Sequence, residues 1–94
     1  MIIYNITCSV DIDVADEWLL WIKNEHIPPL LKSGLFENYK MLKVLSHDDD
    51  KTLSFALQFY AKGLENIEAY HHNDEMIKRY GDKVLTYPTL LEEA

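Results

Sequence analysis

A few side chains in this chain are equipped for chemistry by type and spacing. His26 stands where an amphipathic segment meets Pro28-Pro29. An imidazole at a helix end acts as a general base or a donor to a ligand carbonyl, or else it caps the last helical carbonyls. Glu25 falls four residues after Trp21; it is either desolvated there, with a raised pKa, or turned out to water. Trp18 and Trp21, three residues apart, wall a pocket for a planar ligand or pack as core against a sheet. Asn5, Gln58 and Tyr60 alternate with apolar neighbours. Neutral donors and acceptors of this kind orient a ligand or bridge two sheets through water.

Metal and cofactor chemistry finds less support. His71-His72 precede Asp74 and Glu75, but adjacent helical residues point about 100° apart and do not share an ion. His71 with Glu75 supplies two ligands, too few for a closed zinc site. Asp48-Asp49-Asp50 lacks the glycine and distal glutamate of a calcium loop and reads as a solvated turn. The sequence holds no Ser/His/Asp set, Cys/His pair or glycine-rich phosphate loop, so neither metal nor cofactor is expected.

These residues must be positioned by one domain, because 94 residues leave room for no second core. A hydrophobic share of 48% is high for so short a chain and points to a second buried surface, most simply a self-interface. The net charge of −7 disfavours nucleic acid and anionic membranes as partners. The single cysteine, Cys8, alternates into a buried face and suits a reducing, cytoplasmic setting. Apolar runs are too short to span a membrane, and Met1-Ile2-Ile3-Tyr4 opens as a strand without an export signal.

Ile2 to Val10 alternates as a strand, Asp11 and Asp13 offer capping oxygens, and from Val14 the period becomes helical. Leu20 falls on the polar side of that helix. Pro28-Pro29 predicts an end to regular helix near His26 or Ile27, with one further turn from Leu30 to Ser33 stopped by Gly34. Strands are expected from about Phe36 to Ser46 and from Thr52 to Ala61, joined as a hairpin through the tip from His47 to Asp50. Gly63 introduces a helix from Leu64 to about His72, with a break at Asn73-Asp74 and a short piece from Glu75 to Tyr80. Lys83 to about Leu91 closes the chain as a strand whose Pro88 marks an edge or a bulge. The order β-α-β-β-α-β predicts an α+β, ferredoxin-like fold: a four-stranded antiparallel sheet with both helices on one face. Ile2, Tyr4, Ile6, Leu53, Phe55 and Leu57 take the covered face. Ile3, Asn5, Thr7, Ala56, Gln58 and Tyr60 take the open one, joined by Tyr39 and Met41 or by Leu42. That mixed face suits pairing with a copy of itself.

The stretch Trp18-x-x-Trp21 followed by His26-Ile27-Pro28-Pro29 and Gly34-Leu35-Phe36 resembles an uncharacterised domain-of-unknown-function family, as do the opening Met1 to Asn5, the pair Gln58-Phe59, Tyr80 to Lys83 and Thr89 to Glu92. The resemblance spans nearly the whole chain. It implies a dimeric α/β barrel of a kind seen mostly in Bacteroidetes, and no known activity. Two positions depart from the family pattern: the segment between Tyr70 and Gly81 is short, and Pro88 replaces a basic residue. The resulting expectation is a homodimer that binds a small apolar or aromatic molecule or acts as an interaction module, with His26, Asn5, Gln58, Tyr60 and Trp18 as its ligand contacts. The alternative is a cofactor-independent monooxygenase, isomerase or decarboxylase, in which His26 acts with Asn5 and Tyr60 on an aromatic or polyketide-like substrate.

Overall fold

The computed structural model describes residues 1–46, 49–68 and 73–94. Strand β1 spans Ile2–Asp11, and every second side chain from Tyr4 to Val10 is buried, as a pleat with one covered face dictates. Asp11 Oδ1 then accepts from the Asp13 backbone N–H at 2.9 Å, capping a 3-10 turn over Ile12–Val14. Helix α1, Ala15–Trp21, carries Asp16 and Glu17 in its first turn, where negative charge complements the helix dipole. Its Ala15, Trp18 and Trp21 are buried, while Leu20 is left exposed.

The proline pair does not end the helical run. Ile22–His26 form a π turn, and α2, Ile27–Lys32, begins directly after it with the prolines in its first positions. The Ile27 N–H reaches back five residues to the Ile22 carbonyl. In a regular α-helix the Pro28 ring would strike the carbonyl four residues earlier and leave it without a donor. A wider turn moves that carbonyl aside, so the run continues where the sequence predicted a stop. The prolines take the first positions of α2, where their fixed φ suits the helix. Gly34, at φ 81°, ends the run in a conformation that favours glycine.

Strand β2, Asn38–Val44, is shorter than expected because Phe36 turns inward, its ring centroid 5.1 Å from that of Phe59. Strand β3 spans Thr52–Ala61. Asp49 Oδ1 accepts from the backbone N–H groups of Lys51 and Thr52, each at 2.7 Å; these bonds hold its carboxyl below the ordinary carboxylate range. His47 and Asp48 of the expected acidic tip lie outside the described residues. Helix α3 covers Leu64–Glu68 and α4 covers Asn73–Tyr80, ending at Gly81 with φ 58°. The expected helical stretch through Tyr70, His71 and His72, and with it the two-ligand set of His71 and Glu75, lies outside the described residues. After a 3-10 turn at Gly81–Lys83, strand β4 runs over Val84–Glu92.

The chain is therefore α+β, with a four-stranded antiparallel open sheet in the order β2-β3-β1-β4. The helical segments bury the side of the sheet that carries Tyr4, Ile6, Phe55, Leu57 and Phe59, against Trp18, Ile22 and Ile27. Pro88 sits on the edge strand β4 opposite Ile6, in an unbroken register, so the proline marks an edge and no bulge.

Candidate functional site

Among the described residues, polar side chains gather in two regions, one on each side of the sheet. On the open face the strand register sets side chains in rows that cross all four strands. Lys40, Gln58, Asn5 and Thr89 form one such row. Asn38, Tyr60, Ile3 and Leu91 flank it on one side, and Leu42, Ala56, Thr7 and Tyr87 on the other. Gln58 Nε2 donates to Asn5 Oδ1 at 3.3 Å, and Asn5 Nδ2 donates to Thr7 Oγ1 at 3.3 Å. Leu42, Leu85, Tyr87 and Leu91 are exposed large apolar side chains, and all four lie on this face. Of the alternatives left open for β2, the register selects Leu42; Tyr39 and Met41 turn to the helix side.

The second region lies among the helices. His26, on the π turn, is 7% exposed. Its ring stacks on Trp21 with centroids 4.9 Å apart, and Tyr80 meets Trp21 edge-on at 5.8 Å. His26 Nδ1 donates to Glu75 Oε2 at 3.3 Å, which fixes the Nδ1–H tautomer in the neutral ring. Burial pushes the His26 pKa below the ordinary value of 6.5, and the Glu75 carboxylate opposes that shift in part. Beside this pair opens a cleft of about 440 Å³ lined by Trp21, Glu25, Glu75, Lys78 and Arg79. Arg79 is held in place: Nε donates to the Tyr80 hydroxyl oxygen at 3.3 Å, and the guanidinium lies 5.5 Å from the Trp21 ring centroid and 5.8 Å from that of Tyr80. Its Nη2 also comes within 3.9 Å of Glu17 Oε1.

The structure brings Asn5 and Gln58 into contact and places Tyr60 one row away on the same face. It does not bring His26 to them. Asn5 and Tyr60 alternate away from the helices, whereas His26 packs within the helical layer, so the sheet stands between. Trp18 is enclosed at 0% exposure against Phe55, with ring centroids 5.3 Å apart, and presents no surface to a ligand. Its Nε1 has no hydrogen-bond partner among the described residues. Lys78, Arg79 and the pairing of Glu75 with His26 escaped the sequence reading. The available signal was the spacing of Glu75, Lys78 and Arg79, which places all three along one helical face. No group of three or more potential metal ligands occurs among the described residues.

A family model with the description Domain of unknown function (DUF4286) matches residues 1–94. The chain belongs to this family. Comparison with curated proteins finds no match. For this DUF4286 member the fold thus offers two separate polar regions, an open sheet face and a cleft among helices. No described helix is long and apolar enough to cross a membrane.

Proposed function

We propose that this chain is the protomer of a homodimer in which the open faces of two sheets oppose each other, in the ferredoxin-like dimeric α/β-barrel arrangement, and that a small, partly apolar molecule binds between them. The observation that carries this reading is the polar row of Lys40, Gln58, Asn5 and Thr89 running between two rows rich in apolar side chains. An in-plane two-fold axis through the middle of the row, along the strands or across them, lays the row upon itself. Polar groups then meet polar groups, and Ile3, Tyr60, Leu42 and Tyr87 meet largely apolar surface. The same pattern would leave amides unpaired against a partner with a uniformly apolar face. With strands about 4.8 Å apart and rows about 6.8 Å apart, the face amounts to several hundred Å², the size at which an exposed patch marks an interaction surface. The strand order β2-β3-β1-β4 within a β-α-β-β-α-β chain supports the ferredoxin-like assignment.

Binding fits better than turnover. The enzyme reading rested on His26 acting with Asn5 and Tyr60, and the sheet separates that set. Cys8 is buried, with its thiol pushed up to about 12 by desolvation; an unreactive single thiol accords with a cytoplasmic setting. Sedimentation equilibrium tests the assembly: at micromolar concentration the dimer predicts twice the 11.0 kDa chain mass. A clean monomer at that concentration would exclude it. Gln58→Leu then separates the roles of the row. A ligand-facing Gln58 leaves the dimer intact and weakens binding of a co-purified ligand, whereas a sheet-bridging Gln58 weakens the dimer.

A further inference from the structure

The cleft on the helix side is independent of the sheet face, and its charges describe a ligand. Helix α4 turns Glu75, Lys78 and Arg79 toward it from one face, while Trp21 and Glu25 line it from the run that carries His26. The Glu75 carboxylate links the cleft to a buried polar group. It accepts from the buried His26 Nδ1–H and sits on the same helical face as Lys78 and Arg79. Yet the Glu75 side chain is 71% exposed, while its His26 partner is 6% exposed. A long, solvated side chain gains little from such a contact and gives up rotamer freedom to keep it. The His26 ring that receives the carboxylate is, by contrast, fixed, and Arg79 nearby has contacts of its own. His26 is stacked on Trp21, and Arg79 is clamped by the Tyr80 hydroxyl and two rings. A preformed receptor with a loosely held occupant lets an incoming group take over the contact at little ordering cost. Glu25 adds an opposite requirement, since a bare anion would meet its carboxylate in the same cleft.

We propose that this cleft binds a small zwitterion of the amino-acid type. Its carboxylate replaces that of Glu75 at the His26 Nδ1–H and beside Lys78 and Arg79, and its ammonium group meets Glu25. A cleft of about 440 Å³ has the size of small-molecule sites. Glu75 is then a displaceable plug that keeps His26 in one tautomer while the site is empty.

The test titrates L-phenylalanine into the full chain and into Glu75→Ala, following the Trp21 indole and His26 ring signals by NMR. Benzoate and phenethylamine serve as half-probes. Removing the plug is expected to tighten L-phenylalanine binding by roughly tenfold, the effect of losing one competing contact. Lys78→Met should weaken L-phenylalanine and benzoate but spare phenethylamine, and Glu25→Gln should weaken L-phenylalanine and phenethylamine but spare benzoate. Equal or weaker binding by Glu75→Ala, or signal changes that map away from Trp21 and His26, overturns the proposal. So does an absence of binding in both proteins. All three substitutions are at solvent-facing side chains, and a native near-ultraviolet spectrum for each variant ties the outcome to the site rather than to misfolding.

Discussion

The open face and the helix-side cleft hold their polar groups by different means. On the open face, Asn5 touches Thr7 two residues away on its own strand and Gln58 directly across the ladder. Strand alternation and register are enough to place them. In the cleft, His26 is aimed by a π turn and packed on Trp21, and it meets Glu75, 49 residues further along the chain. One region is built by repeating a regular lattice, and the other by interrupting a regular helix. The covered side of the sheet supplies the stability of the fold, so a defect is tolerated there only where the surrounding packing over-determines it.

The sharpest way to break this contrast is through the packing that frames the helical run. Phe36 lies 3% exposed against Phe59 at the exit of α2. Phe36→Ala is expected to cost about 3–5 kcal/mol in urea unfolding. A loss below about 1 kcal/mol would show that the elbow from Pro28 to Phe36 is not part of the core.

The cleft itself should register in pH dependence. The folded pKa of His26 lies below 6.5. Well above pH 6.5 both folded and unfolded imidazoles are neutral, and the stabilisation is present in full. As pH falls from 6.5 through the folded value, the unfolded chain takes up the proton first and stability is lost. The slope from this one group stays below about 1.4 kcal/mol per pH unit, the limit for a single proton. Comparing unfolding free energies of the natural chain and His26→Gln between pH 7.5 and 5 isolates it, and identical slopes would remove His26 as the titrating group.

Smaller effects belong to the open face. A double-mutant cycle between Asn5→Ala and Gln58→Ala should return a coupling of about 0.5–1 kcal/mol, as expected for a half-buried neutral hydrogen bond. Tyr87→Lys should change the unfolding free energy of the separated protomer by less than about 0.5 kcal/mol, because the ring is 56% exposed there. The same substitution should dissociate a face-to-face dimer in sedimentation. A Tyr87→Lys dimer as tight as the parent would move the interface off this face.

How much of this was legible in the sequence follows from the same contrast. The positions of Ile3, Asn5, Thr7, Ala56, Gln58 and Tyr60 on one face, and of Tyr4, Ile6, Phe55 and Leu57 on the other, are direct consequences of period two, and the structure has them so. The alignment of β2 was open, because Tyr39, Met41 and Leu42 offer apolar side chains in both phases; only the pairing of Leu42 with Ala56 decides it. Pro28-Pro29 was read as a stop because proline disfavours the α conformation before it. A π turn ahead of the pair escapes that restriction, and local propensity carries no signal for it. Lys78 and Arg79 carried no site reading of their own within the short piece expected from Glu75 to Tyr80. Their importance depends on Trp21, which approaches only after the chain has crossed the sheet and returned. The grouping of His26 with Asn5 and Tyr60 failed because one-dimensional reading assigned residues to faces of strands and helices, but not the helix-end histidine to a side of the sheet.

Pro88 has a consequence for how many copies can gather. Strand β4 is one of the two outer strands of the sheet, and beyond Thr86 its side chains are exposed on both faces, Leu90 and Leu91 among them. Such a border invites chain after chain to add on by main-chain pairing, the route to fibres. The ladder to β1 runs straight through Pro88, so the amide hydrogen that proline lacks is missing from the side facing solvent. A newcomer strand would find a gap in the middle of its docking line. Growth along this border is thereby discouraged, an obstacle that the proposed face-to-face dimer, closing on itself after two copies, does not meet.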